Sequence, residues 1–210
     1  MSRHDIWDAT YVAKNSEELS CAYDKWACDY DRDTLHGMGY VGPALACKVL
    51  DSYLESPKSR VLDAGCGTGL VGEKLAEMGY DRLEALDYCD SMLEQAKAKD
   101  VYGHLVQGDM NESLKFADNS YDATICVGTF TYAHVGPHAF EEFIRITKPN
   151  GYICFTVRDG AYQEYDYRSK MVELESNGTW ELLQMLDEDY LIKEKVTAKF
   201  CIYKVLGGQA

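Results

Sequence analysis

Residues 61–75 read VLDAGCGTGLVGEKL, and this glycine-rich stretch decides the fold of the chain. Two ligand-binding patterns fit it. One is the dinucleotide pattern G-x-G-x-x-G, formed by Gly67, Gly69 and Gly72. The other is D-x-G-x-G-x-G, formed by Asp63, Gly65, Gly67 and Gly69. Both predict a strand, a glycine turn and a helix, whose backbone approaches a ligand closely because no Cβ intervenes. They differ in the ligand, because only the first pattern implies a pyrophosphate.

Three acidic residues at the ends of predicted strands bear on the choice of ligand. Asp63 ends the first strand, where a carboxylate is a poor neighbour for a pyrophosphate and a good one for a cation. Asp87 ends the second strand, where an acid binds ribose in dinucleotide folds as well. Asp109 ends the third strand and can accept an adenine amino group, with the amide of Met110 beside it. Together the acids favour S-adenosylmethionine, which carries an ammonium and a sulfonium and no phosphate.

Composition and charge narrow the possible partners. The 210 residues are 46 % hydrophobic and 27 % charged, which is typical of a globular domain. The net charge is −14, so we expect no nucleic acid partner, because such binding requires a basic surface. No apolar run approaches the ~20 residues that span a bilayer, and the first ten residues lack the apolar segment of a signal peptide. The eight cysteines form no C-x-x-C pair. We expect a cytoplasmic monomer with reduced thiols, or alternatively a nuclear protein.

Strand and helix patterns alternate from residue 60 onward. The predicted strands are RVLDAG, RLEALD, YGHLVQGD, YDATICVG and GYICFTVR. The alternation predicts an α/β fold: a Rossmann-like, doubly wound sheet of seven mostly parallel strands, with helices on both faces and an antiparallel last strand. Gly72 is expected inside the first helix of this unit, packed closely against the sheet. We predict one domain over 1–210, comprising a helical lid (1–40), a cofactor-binding core (60–158) and a substrate-side helix with closing strands (159–210).

Five segments, taken together, indicate a family. VLDAGCGTG, ALDYCDSML, GDM, YDATICVGTF and ITKPNGYICFTV resemble, in order and spacing, the motifs of class I S-adenosylmethionine-dependent methyltransferases. The resemblance implies S-adenosylmethionine as cofactor and S-adenosylhomocysteine as product. It places the methionine portion of the cofactor among Asp63, Gly65, Cys66, Gly67, Gly69 and Val127. It places the ribose at Asp87 and the adenine beside Tyr88, Asp109 and Met110.

Aromatic residues near the N-terminus lie at helical spacing. Tyr23, Trp26 and Tyr30 fall on one face of a predicted helix. An amphipathic helix that packs this face on the core accounts for the pattern. In small-molecule methyltransferases with a similar segment the helix covers the cofactor, and aromatic faces attract a sulfonium. We therefore predict that Tyr23 and Trp26 also close over the cofactor.

The segment after the fourth strand supplies the candidate general bases. Tyr132 and His134 are the candidates, although a loop or capping role explains His134 as well. His134 and His138 are four residues apart, but Gly136 and Pro137 lie between them and disfavour a helix. We therefore expect no metal site.

Arg158 and the tyrosines after the fifth strand are the candidate acceptor-side residues. With Tyr162, Tyr165 and Tyr167, Arg158 could form a pocket for a planar or acidic small molecule, but an exposed polar helix explains the segment equally well. The fourth strand ends in VGTF and lacks the N-P-P-Y or D-P-P-Y motif of methyltransferases acting on DNA bases or glutamine.

The sequence therefore predicts methyl transfer to a small molecule, with a protein acceptor as the alternative. Two competing hypotheses are a catalytically silent cofactor-binding protein and an NAD-dependent oxidoreductase. The oxidoreductase leaves Asp63 and Asp109 without a role.

Overall fold

The protein is built on a seven-stranded sheet in the order β3-β2-β1-β4-β5-β7-β6. The structure, a computed structural model, describes residues 7, 9–10, 12–13, 16–131 and 135–207. The strands are β1 Val61–Ala64, β2 Leu83–Asp87, β3 His104–Gln107, β4 Tyr121–Phe130, β5 Thr147–Arg158, β6 Trp180–Leu191 and β7 Val196–Val205. Among the seven strands, β7 runs antiparallel to β5 and β6 and the other described pairings are parallel; outside them, Tyr40 forms an antiparallel bridge with Leu191. The predicted fold class is confirmed.

Helices cover both faces of the sheet. They are α1 Ser16–Trp26, α2 Gly42–Asp51, α3 Leu70–Glu77, α4 Asp90–Ala98, α5 Ala139–Ile146, α6 Asp159–Glu164 and α7 Tyr167–Ser176, with a π-helix at Arg32–Met38 and a 3₁₀ turn at Ile192–Glu194. Helix α2 begins with Gly42 and Pro43, where proline fits because the first amides of a helix have no intrahelical partner. No described helix is both long and apolar enough to cross a bilayer.

The core follows the two-residue period of the strands. Leu62 packs with α5 and α7 on one face, whereas Val61 packs with α2 and α3 on the other. On the α5 face, Phe155 stacks on Tyr203 at a centroid distance of 5.8 Å, and Trp180 stacks on the same tyrosine at 4.0 Å. Burying each such ring stabilises the fold by roughly 1.5–3 kcal/mol, which makes the sheet a rigid support for the loops at its edge.

The largest difference between a predicted and an observed strand boundary is at β5; β3 begins two residues later, and β4 ends two residues later, than predicted. Strand β5 begins at Thr147, four residues before the predicted segment. The register passes from Tyr121 opposite Thr147 to Ala123 opposite Tyr152, so the strand bulges between these pairs. Asn150 has a φ of 66°, which lets the backbone make this bulge.

Candidate functional site

The glycine turn joins β1 to α3 at the point where the strand order reverses. Gly65 and Gly67 have φ values of 75° and 53°, which favour glycine. A Cβ at Gly65 would lie 2.3 Å from Thr129 Oγ1, whereas one at Gly67 would meet no atom within 4 Å. The amides of Gly65 and Cys66 both donate to the carbonyl of Leu86, at 2.7 and 3.0 Å. The turn is therefore fixed to β2 on one side and open on the other.

A cleft lies beside this turn, at the carboxyl ends of the parallel strands. Its empty volume is about 730 Å³, part of it open to solvent, which is within the ~300–1,000 Å³ of small-molecule sites. The lining residues come from α1, the segment that follows it, the glycine turn and the segments at or after the ends of β2, β3 and β4. The predicted residues among them are Tyr23, Gly65, Gly67, Asp87, Tyr88, Asp109, Met110 and Val127.

Asp87 is held rigidly at the end of β2. Its Oδ2 accepts a hydrogen bond from the Gly67 amide at 2.8 Å, and its Oδ1 accepts one from the Cys89 amide at 2.9 Å. Burial raises the pKa of Asp87 above its ordinary value, and the hydrogen bonds from the amides oppose this shift. Each carboxylate oxygen has a further lone pair, so Asp87 can accept hydroxyl groups from a ligand without moving.

Asp109 and Asn111 join the end of β3 to the segment after β4. Asp109 Oδ1 accepts hydrogen bonds from the Asn111 amide at 2.8 Å and from Asn111 Nδ2 at 3.0 Å. Asn111 Oδ1 in turn accepts a hydrogen bond from the Gly136 amide at 3.3 Å. These bonds hold the Asp109 carboxylate in the wall of the cleft and connect it to the loop on the opposite wall.

Asp63 lies behind the glycine turn and does not line the cleft. It is 1 % exposed, and its Oδ2 accepts a hydrogen bond from the Tyr102 hydroxyl at 2.5 Å. Asp63 Oδ1 is buried without a hydrogen-bond partner among the described residues. Burial raises the pKa of Asp63 to about 7, although the Tyr102 hydrogen bond opposes the shift. Direct contact between Asp63 and a ligand stays a prediction.

Gly72 packs against Tyr102, not against the sheet as we expected. A Cβ at Gly72 would lie 2.2 Å from Tyr102 Cζ, and the Gly72 amide donates to the Tyr102 hydroxyl at 3.0 Å. Tyr102 precedes β3 and inserts its ring between α3 and β1, which the local pattern around Gly72 does not reveal. The glycine in the helix therefore makes room for the tyrosine that binds Asp63.

Three other predicted cofactor residues lie outside the described cleft lining. Cys66 is buried in a cluster with Ala85, and Gly69 adopts a left-handed conformation before α3. Trp26 is 3 % exposed, and its Nε1 donates to Asp33 Oδ2 at 3.2 Å. Their contact with the cofactor stays a prediction. Tyr132 and His134, the candidate bases, lie outside the described residues.

The cleft also contains residues that the sequence analysis did not assign to the site. These are Leu19, Ser20, Tyr30, Cys89, Met92, Asn111, Gly128, Thr129 and Val135. The spacing of Leu19, Tyr23 and Tyr30 along the predicted helical face was a usable signal. No local pattern indicated Asn111, because its role depends on the loop that carries Gly136.

A second cavity adjoins the cleft and contains Arg158. Its empty volume is about 470 Å³, part of it open to solvent, and Tyr23, Tyr30 and Gly128 line both spaces. The hydroxyls of Tyr40 and Tyr190, which also line it, are 2.9 Å apart.

The tyrosines expected beside Arg158 lie elsewhere. Tyr162 has Lys199 Nζ 5.0 Å from its ring centroid, and Tyr165 is 41 % exposed. The Tyr167 hydroxyl donates to the Val135 carbonyl at 2.6 Å, and its ring is buried in the core. Helices α6 and α7 direct these rings away from the cavity.

Comparison with known proteins agrees with this architecture. The methyltransferase domain family matches residues 62–155. The chain is 35 % identical over 166 residues to Methyltransferase-like protein 27 of Homo sapiens, covering 76 % of the chain and 66 % of that protein. It is 29 % identical over 154 residues to a malonyl-[acyl-carrier protein] O-methyltransferase of Buchnera aphidicola, covering 72 % of the chain and 59 % of the relative. The chain thus spans less than two thirds of the length of each relative.

A solved structure shows the same fold. The TehB-like S-adenosylmethionine-dependent methyltransferase of Corynebacterium glutamicum superposes with a TM-score of 0.67 at 16 % identity, covering 88 % of this chain and 99 % of that one. The ordered motifs, the sheet topology and the relatives lead to one assignment. The chain belongs to the class I S-adenosylmethionine-dependent methyltransferases.

Proposed function

We propose that the cleft binds S-adenosylmethionine and that the protein transfers its methyl group to a small molecule. The charge of the cleft lining carries this proposal. Asp87 and Asp109 contribute two carboxylates, and no Lys, Arg or His stands among the described residues of the lining. Such a lining attracts a sulfonium and an ammonium and repels the pyrophosphate of a dinucleotide.

The cleft residues have complementary roles in this proposal. Asp87 receives the ribose hydroxyls, while Asp109 and Met110 contact the adenine edge. Tyr88, which is 40 % exposed at the rim, lies against the adenine face. Backbone groups of Gly65 and Gly67 hold the methionine portion.

Bound S-adenosylmethionine supplies an activated methyl group, and the protein has two tasks beside it. It must orient the acceptor in line with the methyl group, and it must exclude water. Tyr23 and Tyr30 line both the cleft and the second cavity. Their rings suit a sulfonium and exclude solvent where cofactor and acceptor would meet.

The volume of the second cavity favours a small acceptor. It adjoins the cleft at Gly128 and has an empty volume of about 470 Å³ that includes some solvent. One relative is named for O-methylation of malonyl-[acyl-carrier protein] and another for methylation of demethylmenaquinone. The relatives therefore differ in acceptor, and the class of acceptor for this chain has to be argued from its own cavity.

Calorimetry with S-adenosylhomocysteine and with NAD tests the cofactor. We expect micromolar binding of S-adenosylhomocysteine, no binding of NAD, and at least tenfold weaker binding by Asp87→Asn, which loses charge-assisted hydrogen bonds to the ribose. Binding of NAD in its place would favour the oxidoreductase and contradict the proposal.

Turnover needs a separate assay. Cell-extract fractions are incubated with the protein and S-adenosylmethionine, and formation of S-adenosylhomocysteine is measured against the Asp87→Asn variant. We expect product in at least one low-molecular-mass fraction. Cofactor binding without turnover on any fraction would favour a catalytically silent cofactor-binding protein.

A further inference from the structure

The second cavity has a chemical character different from that of the cleft. Its described lining contains one cationic side chain, Arg158, and no carboxylate. Arg158 ends β5 and does not line the cleft, whereas Gly128 lines both spaces. The cavity therefore contains a cationic side chain that is not part of the cleft lining, and it shares a wall with the cleft at Gly128.

The phenols of the cavity remain protonated at neutral pH. Burial raises the pKa of Tyr40 and Tyr30 well above the ordinary value, and it raises the pKa of Tyr190 to about 12. Tyr40 and Tyr190 have hydroxyls that face Gly128, since a Cβ placed there would lie 2.9 Å from each oxygen. A protonated phenol can donate a hydrogen bond to an anion but cannot serve as a general base.

Arg158 is partly desolvated in this setting. Its Nη1 atom is buried, and burial lowers the pKa of its guanidinium, which nevertheless remains charged at neutral pH. A guanidinium in low-dielectric surroundings attracts an anion more strongly than one in water, and its planar donors match a carboxylate. The aromatic rings of Trp26 and Tyr30 supply apolar contact for the rest of a small ligand.

We propose that the second cavity binds the methyl acceptor and that the acceptor is a small carboxylic acid, whose carboxylate pairs with Arg158. The inference rests on the proposed methyltransferase function and adds the substrate class. The nucleophilic atom of the acid is a different group, directed toward Gly128 and the cleft, because Gly128 lines both spaces whereas Arg158 does not line the cleft. Bound S-adenosylmethionine would supply the methyl group to that atom: the lone pair of the atom would form the new bond to carbon, the sulfur would keep the electron pair of the broken carbon–sulfur bond, and a proton carried by the nucleophile would pass to solvent.

Fluorine NMR with matched probes tests the anion site. The acids are 4-fluorobenzoate and trifluoroacetate, and their neutral counterparts are 4-fluorobenzamide and trifluoroethanol. Each is titrated into the protein with and without saturating S-adenosylhomocysteine. We expect at least one acid to bind, with its neutral counterpart at least tenfold weaker. Equal binding of acid and counterpart, or binding of neither acid, would overturn the proposal.

Substitutions at two arginines distinguish acid binding in the cavity from acid binding through surface charge. Arg158→Gln should weaken acid binding at least tenfold and Arg158→Lys less, because lysine keeps the charge but not the planar donors. Arg168→Gln removes an exposed arginine of α7 and should change nothing. Unchanged acid binding by Arg158→Gln would contradict the proposal.

S-adenosylhomocysteine affinity, measured on every variant, reports whether the cleft is folded and should stay within about twofold of the parent value. This readout also separates the two proposals. If the parent protein bound the acids through Arg158 but not S-adenosylhomocysteine, the proposed function would fail while the anion site stood.

Discussion

At the scale of single residues, Asp63 is expected to attract a cationic ligand, but its burial lowers the stability of the folded protein when the carboxyl group ionises. Its pKa of about 7 in the folded protein exceeds the ordinary aspartate value. As pH rises from about 4 to about 7, the unfolded chain loses this proton before the folded one does, so the protein loses stability over that window. Above pH 7 the loss is constant and amounts to at most ~4 kcal/mol.

Asp63→Asn should therefore stabilise the protein more at pH 8 than at pH 4.5, because asparagine does not ionise and can still accept from Tyr102. Urea unfolding at the two pH values measures the difference. Asp81→Asn is the control, since Lys58 lowers the pKa of Asp81 and that carboxylate is exposed. We expect Asp81→Asn to cause only a small loss of stability. An equal effect of Asp63→Asn at both pH values would show that Asp63 is already ionised at low pH.

Asp87 supports the glycine turn as well as the proposed ribose site. Because its two oxygens accept the amides of Gly67 and Cys89, Asp87→Ala leaves both amides without that partner, at ~1–3 kcal/mol each if they stay buried. We expect this variant to lose both stability and affinity for S-adenosylhomocysteine, whereas Asp87→Asn, which keeps one of the two acceptor oxygens, should lose affinity and a smaller part of the stability. Thermal unfolding and calorimetry on both variants test this; identical unfolding midpoints for the two variants would count against a structural role.

At the scale of elements, Asp31 connects the N-terminal segment to the cofactor core. Its Oδ1 accepts a hydrogen bond from Thr68 of the glycine turn, and its Oδ2 pairs with Lys99 at 2.9 Å. Lys99 also pairs with Glu73 of α3 at 3.1 Å. The Lys99 side chain is 15 % exposed, so this network is better shielded than a surface ion pair. It holds the segment after α1 against the turn.

Removing this connection should loosen the predicted lid without unfolding the sheet. We expect Asp31→Ala to weaken S-adenosylhomocysteine binding about three- to tenfold, the effect of ~1 kcal/mol, and to speed hydrogen exchange in residues 16–38. Asp29→Asn is the matched control, because it removes only an exposed pair with Arg32. If Asp31→Ala bound the cofactor product as tightly as Asp29→Asn, the connection would have no part in holding the ligand.

At the scale of the whole molecule, the sequence predicted what depends on local periodicity. The alternating strands, the glycine turn and the acids ending β2 and β3 all follow from patterns within about ten residues, and the fold class is confirmed. It could not predict contacts between distant segments. Tyr102 inserts between Asp63 and Gly72, and Tyr40 meets Tyr190 across 150 residues of chain. Such pairs depend on how helices and strands pack, which no local pattern encodes.

The location of the cleft predicts how a bound ligand changes the stability of the protein. The cleft draws its walls from α1 and from the segments at the ends of β1 to β4, whereas no residue of 180–187 lines it. A ligand at ~100 times its Kd adds ~2.7 kcal/mol to the free energy of unfolding by mass action. For a domain of this size that corresponds to an increase in Tm of about 5–10 °C.

Added S-adenosylhomocysteine should therefore raise the Tm and slow hydrogen exchange chiefly in residues 16–31, 65–69, 87–92 and 109–111. Residues 180–187 of β6 should change little under native conditions, because their local opening does not break the proposed site. NAD at the same concentration is the control and should leave both the Tm and the exchange pattern unchanged. Protection confined to β6 and β7 would place the binding site elsewhere on the molecule, and an equal Tm increase with NAD would show that the protein does not distinguish the two ligands.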